Sequence, residues 1–400
     1  MKFRCVPLLA VALPLASCDA DNAAPLSAAI PDAGDAGADA PVETVPWLES
    51  ASVQVNGHAT NDLYLDCRDV ICRHNENTDL TTFQGAVWFV HRTAISQTLG
   101  PNSALHVYRS TDQGVTFTQM ALLPAPTTRD IRDPCFYQVN GELYLKALTR
   151  LPVDSSRDSN VDTVAVGMHS PDGINWSAME PIGPHGWSFW RVKEQNGVYY
   201  TAAYQDGDLQ VVLYTSTDGV TWTAGPPIYT VSADTPLETE LTFMPGGMLL
   251  GLVRMDGTDD ELLGDEGRLR TKICWSSPPY TSFSCPDEFD GERLDGPVTF
   301  FAQGRLFVVA RQHLQGTGGK KRTALYEITG ELDGGPIYIN DWGQFPSAGD
   351  TSYAGVAMLD PSHFLVTWYS GDIPLDQSWV LGMFNLTDIW KGTIDLSKLQ

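Results

Sequence analysis

The apolar positions of this chain fall into short runs, each opened by a turn, in which every second residue or nearly every residue is apolar. Six runs share one form: GAVWFVHR from 85, GELYLKALTR from 141, GVYYTAAY from 197, GGMLLGLVR from 246, GRLFVVAR from 304 and SHFLVTWYS from 362. Such alternation or continuity over about four to eight residues, bounded by glycine or a polar turn, predicts strands. Each run is preceded by another apolar stretch. A third follows about ten residues later, as in ALHVYRS, TVAVGMHS, LQVVLYTS and TKICWSS. Helical periodicity is nearly absent. The six runs start 49 to 58 residues apart, so the chain divides into six units of about four strands. A single sheet cannot bury both of its faces, whereas six packed around an axis can. The pattern therefore predicts an all-β chain folded as a six-bladed β-propeller of four-stranded antiparallel blades.

A repeated turn closes the third strand of a unit: STDQGVTF at 110–117, SPDGINWS at 170–177 and STDGVTWT at 216–223. Ser and Asp side chains accept from the loop's own N–H groups, Gly supplies positive φ, and the aromatic packs beneath. Asp112, Asp172 and Asp218 are thus expected to be structural. The fourth unit has SSPPYTSFS at 276–284, without the Asp and Gly. Cys274 and Cys285 flank it and are the expected disulfide, with Cys67–Cys72 a second pairing. Cys135 lies in a predicted buried strand and is expected to behave as a small hydrophobe.

Ser-x-Asp-x-Gly-x-x-Trp/Phe resembles the Asp-box of the sialidase superfamily, and six units in this layout resemble the sialidase propeller across about residues 60–400. The resemblance implies a glycoside hydrolase whose site lies on the axis, away from the Asp-boxes, at one mouth where the inner strands begin. Polar stretches stand at those places: CRHNE at 72–76, RDIRDP at 129–134, HGWSFW at 185–190, LETEL at 237–241 and DTSY at 350–353. The superfamily's order of a Glu and an Arg on the fourth blade, an Arg on the fifth and a Tyr on the sixth is matched by Glu238 or Glu240, Arg254, Arg311 and Tyr353. Arg73 and Arg92 are similar to the first arginine and to the arginine ending the next strand. Arg92, Arg150, Arg254 and Arg311 also share one repeat position, which is consistent with a feature of the blade alone. The implied chemistry is attack by Tyr353 on an anomeric carbon, its proton passing to Glu240 or Glu238. Two departures stand out: the Phe/Tyr-Arg-Ile-Pro motif is absent, and TAISQTLGPN after Arg92 lacks the expected acid. Asp133, beside Arg132, is the alternative acid, or else an internal ion-pair partner.

Charge sharpens this picture. With 25 basic against 49 acidic residues the formal charge is −24, and no basic run exceeds Lys320–Arg322. Nucleic acid is excluded as an expected partner. An anionic sugar would need a local group of arginines. The eight histidines form no close pair, so neither metal nor cofactor is expected, and the expected partner is a glycan or glycoconjugate bound by a monomer. Lys2 and Arg4 precede an apolar run ending in Leu15-Ala16-Ser17-Cys18, which resembles a bacterial lipobox. That implies a signal at 1–17, lipidation of Cys18, an Ala/Asp/Pro-rich tether over 18–46, the propeller over 47–400, and a place in the cell envelope facing the periplasm or the surface. An ordinary cleaved signal peptide is the alternative. Two further readings remain: a propeller that binds glycan or protein without turnover, and a five-bladed furanosidase-like enzyme using Arg132-Asp133-Pro134.

Overall fold

The computed structural model describes residues 45–57, 66–98, 100–151, 162–205, 209–231, 235–256, 270–290, 292–331 and 336–399. All lie within the compact unit Pro41–Gln400. Cys18, the signal and most of the tether fall outside the described residues.

The described strands form six antiparallel sheets. Blade one runs His74–Phe83, Ala86–Ala94, Ala104–Ser110 and Thr118–Pro124, from the inner strand outward. Blade two runs Asp130–Val139, Glu142–Arg150, Val164–Ser170 and Glu180–Pro181. In blade three the inner strand is broken into Ser188–Phe189 and Lys193–Gln195, both paired with Val198–Tyr204, and Gln210–Ser216 and Thr223–Thr230 follow. Blade four has Thr235–Phe243, Leu249–Asp256, Arg270–Ser276 and Ser284–Asp290; blade five has Asp295–Ala302, Arg305–His313, Lys321–Gly330 and Ile337–Gln344. Blade six has Thr351–Met358, His363–Gly371 and Thr387–Asp395, and takes its outermost strand, Leu48–Val55, from the start of the described chain. That exchange joins the two ends of the ring. Six blades exclude the five-bladed furanosidase-like reading.

Each of the six runs forms the second strand of its blade. In four blades a turn of just two residues, both left-handed, precedes it: Gln84-Gly85, Asn140-Gly141, Asn196-Gly197 and Gln303-Gly304. This is the two-residue hairpin that matches strand twist. Apolar side chains then interlock between neighbouring blades. Trp88 and Val90 of blade one pack with Ile131, Leu145 and Val166 of blade two, and Leu250 and Ile273 of blade four with Val308 and Tyr326 of blade five.

The repeated Ser-Asp turns also bind blade to blade. Asp172 Oδ1 accepts from the N–H groups of Ile174 and Asn175 at 2.8 Å, and Ser170 Oγ accepts from Gly173 at 2.8 Å. These bonds lower the Asp172 pKa. A Cβ on Gly173 would stand 2.3 Å from the Trp88 ring of blade one. Gly219 is packed in the same way on Val139 of blade two, and Gly114 on Leu365 of blade six. Both Cys67–Cys72 and Cys274–Cys285 are bridged, and Cys135 is a buried free thiol.

Candidate active site

One bulge recurs near the start of the inner strands. Pairing skips two residues at Asn77-Thr78, Asp133-Pro134, Leu237-Glu238, Gly296-Pro297 and Tyr353-Ala354, while the partner strand passes only one, so the inner strand carries the extra residue. In four of these bulges the first residue is left-handed: Asn77 (φ 48°), Asp133 (φ 51°), Gly296 (φ 55°) and Tyr353 (φ 44°). A bulge re-aims its side chains, and non-glycine residues held there cost energy that surrounding structure must over-determine. Asp133, Glu238 and Tyr353 are thereby brought to one axial cavity of about 200 Å³.

Glu238 and Tyr353 meet directly. Tyr353 Oη donates to Glu238 Oε1 at 2.6 Å. Arg254 Nη1 donates to Glu238 Oε2 at 2.8 Å and to Tyr353 Oη at 3.1 Å. Gly296 completes the pair: its N–H donates to Glu238 Oε2 at 3.0 Å, and a Cβ there would lie 2.9 Å from the Tyr353 ring. Burial, helped by the Glu238 charge, holds the Tyr353 hydroxyl well above its ordinary pKa.

Four guanidinium groups line the same cavity, those of Arg132, Arg150, Arg254 and Arg311, with the carboxyls of Glu76, Asp133 and Glu238. The wall thus gathers four guanidinium groups in an acidic chain, each with a carboxylate partner: Asp130 beside Arg132 and Arg150, Asp256 and Asp295 beside Arg254, and Asp350 beside Arg311. Arg311 donates from Nε to Thr351 O at 2.8 Å and from Nη2 to Asp350 Oδ1 at 2.9 Å and Tyr369 Oη at 2.7 Å. Its guanidinium lies 4.8 Å over the Tyr353 ring. Arg132 donates from Nε to Asp130 Oδ2 at 2.8 Å. Arg254 is also held by Asp256 and by Asp295, 3.1 Å from its Nε. Burial opposes the charge of Arg254, yet Asp256, Asp295 and Glu238 together raise its pKa. Asp133, half-buried at the cavity wall, has its carboxyl raised by burial against the pull of Arg132 and Lys146.

Three expectations about position need correction. Glu240 does not face Tyr353: it is fully buried, 2.5 Å from Lys193 Nζ, and accepts from Thr299 N at 3.0 Å and Thr299 Oγ1 at 2.9 Å. The bulge at Leu237-Glu238 breaks the alternation that would have put both glutamates on one face. Arg92 is fully buried and closed in by Glu76 and by Asp130, 2.9 Å from its Nε. Arg73 stands one residue before the inner strand of blade one and is not among the cavity-lining residues. Arg132 and Arg150 occupy the wall instead. Gln97, from a loop, and Trp379, the first residue of the short helix Trp379–Gly382, also line it, and the sequence around them carries no signal of that role. Tyr369 lines it too, donating to Asp350 Oδ1 at 2.9 Å.

No protein-family model matches the chain, and no curated protein matches it in sequence. Among solved structures it is similar to a protein of unknown function from Dyadobacter fermentans, with a TM-score of 0.62 at 15% identity over 88% of this chain and 100% of that one. It is similar to the intramolecular trans-sialidase of Ruminococcus gnavus, solved with oseltamivir carboxylate, with a TM-score of 0.61 at 12% identity over 87% of this chain and 99% of that one. A third likeness is to Trypanosoma rangeli sialidase, solved with 2,3-difluorosialic acid as a covalent intermediate, with a TM-score of 0.61 at 12% identity over 88% of this chain. The chain spans 59% of that protein's length. Likeness at these identities is one of fold, and the chain has the six-bladed propeller fold of the sialidases.

Proposed function

We propose that this chain is a sialidase-like glycoside hydrolase acting on a terminal sugar that carries a carboxylate. The observation that carries the reading is the 2.6 Å hydrogen bond from Tyr353 to Glu238 in a cavity lined by four arginines. Tyr353 Oη attacks the anomeric carbon, Glu238 takes the phenolic proton, and Asp133 gives a proton to the departing oxygen. Water then cleaves the glycosyl-tyrosine, with Asp133 acting as base. A neutral phenol suits an anionic sugar because it does not repel the substrate's carboxylate. Arg132, Arg254 and Arg311 bind that carboxylate through paired N–H groups. Solved neighbours of this fold are described as holding 2,3-difluorosialic acid or oseltamivir carboxylate, both of which carry such a group. In this reading the enzyme is exported, anchored to the envelope by lipid on Cys18, and monomeric.

One observation favours a second reading, an anionic-glycan binder without turnover. The stretch TAISQTLGPN after Arg92 holds no acidic residue where the sialidase pattern has its acid. Release of the fluorophore from a fluorogenic aryl sialoside separates the two. Turnover supports the hydrolase, whereas saturable binding of free sialic acid without turnover supports the binder.

A further inference from the structure

Where blade one meets blade six at the cavity wall, three residues from opposite ends of the chain come together. His74 opens the inner strand of blade one, Glu76 follows it, and Asp350 precedes the inner strand of blade six. All three are buried, and one ligand atom of each lies within 4.8 Å of the others. His74 Nδ1 is 2.7 Å from the carbonyl oxygen of Asn385. A carbonyl only accepts, so Nδ1 carries a hydrogen. Nε2 is turned toward Glu76 Oε2 at 3.3 Å and Asp350 Oδ2 at 3.7 Å. The longer distance is beyond a hydrogen bond. Asp350 Oδ2, fully buried, has no hydrogen-bond partner among the described residues.

With Nδ1–H spent on the carbonyl, Nε2 and the two carboxylate oxygens facing it are held together only by a cation among them, a proton or a metal ion. A proton on Nε2 would reach Glu76 and leave Asp350 Oδ2 unsatisfied. A metal ion can take one atom from each, since the three lie within 4.8 Å of one another. Tetrahedral bonds of about 2.0–2.2 Å set neighbouring ligand atoms about 3.3–3.6 Å apart; Nε2 is 3.3 Å from Glu76 Oε2, within that range, and 3.7 Å from Asp350 Oδ2, just beyond it. The outer atoms are tied down as metal ligands usually are. Nδ1–H rests on a carbonyl, and Asp350 Oδ1 accepts from Tyr369 Oη at 2.9 Å and Trp379 Nε1 at 3.0 Å. Arg92 donates to Glu76 Oε1.

We propose that His74 Nε2, Glu76 Oε2 and Asp350 Oδ2 form a binding site for a divalent transition-metal ion of the zinc type. One imidazole and two carboxylates suit that ion and leave a position for water. The ion fastens Glu76, which holds Arg92, to Asp350, which holds Arg311, and so braces the cavity wall. This site does not depend on the glycosidase reading.

The test is calorimetric titration of zinc into the full chain after chelator treatment and dialysis. Wild type should bind one equivalent and gain thermal stability, with affinity reduced at least tenfold in both His74→Gln and Asp350→Asn. Absence of a saturable equivalent, or unchanged affinity in both variants, overturns the proposal. Both residues are fully buried, so a variant can fail to fold, and cobalt(II) added to wild type then decides. Visible d–d absorption that zinc displaces supports the site, and its absence overturns it. A doubly protonated His74 ring, seen by NMR with zinc in excess, also overturns it.

Discussion

The phenolic hydroxyl of Tyr353 sits 2.6 Å from Glu238 Oε1, although the two residues come from blades six and four. Both stand in bulges of their inner strands, so a ladder irregularity shared by the blades creates the contact. In the proposed reaction this carboxylate receives the proton that leaves Tyr353 during attack.

Replacing Glu238 with Gln keeps the shape and removes the base. We expect kcat on an aryl sialoside to fall by about 10²–10⁴, with binding of free sialic acid within a few-fold of wild type. Steady-state kinetics and calorimetry check this, and a kcat within tenfold of wild type removes Glu238 from that role.

Gly296 should be needed for positioning rather than contact with substrate. Its Cβ would lie 2.9 Å from the Tyr353 ring, and its N–H holds Glu238. Gly296→Ala is expected to lower kcat by at least tenfold while KM changes little, since the displacement falls on the nucleophile and not on the arginines. A raised KM with unchanged kcat would contradict this placement.

Asp133 predicts the form of the pH profile. Burial raises its carboxyl, and a general acid acts in its protonated form. The acid therefore persists to higher pH than an ordinary carboxyl, and kcat/KM should fall as pH rises through that raised pKa. Asp133→Asn should remove this limb and slow cleavage least for substrates with good leaving groups. An unchanged profile in the variant would assign the acid elsewhere.

Arg311 and Arg73 should separate cleanly. Arg311 lines the cavity and lies over Tyr353, whereas Arg73 does not line it. Arg311→Lys loses the planar fork and should raise KM at least tenfold, while Arg73→Ala should leave KM within twofold. Equal effects on KM would restore Arg73 to the carboxylate site.

What could be read from the sequence follows physical range. Strand periodicity and Gly-opened hairpins are local, so six runs from Gly85 to Ser362 revealed the blade count and the register of every second strand. Arg254, Arg311 and Tyr353 converge as that register requires. Glu240 was misplaced because alternation assumes an unbroken ladder, and the Leu237-Glu238 bulge has no glycine to announce it. The strand Leu48–Val55 that completes blade six, and the meeting of His74 with Asp350, arise only when the ring closes. No local pattern encodes them.

The most direct test of the central claim is trapping with 2,3-difluorosialic acid followed by peptide mass spectrometry. The fluorine slows hydrolysis of a glycosyl-enzyme, so a covalent species should accumulate. The account predicts one added glycosyl mass, on the peptide containing Tyr353, and none in Tyr353→Phe. An adduct on the peptide containing Tyr369, or turnover of the aryl sialoside retained by Tyr353→Phe, would contradict it.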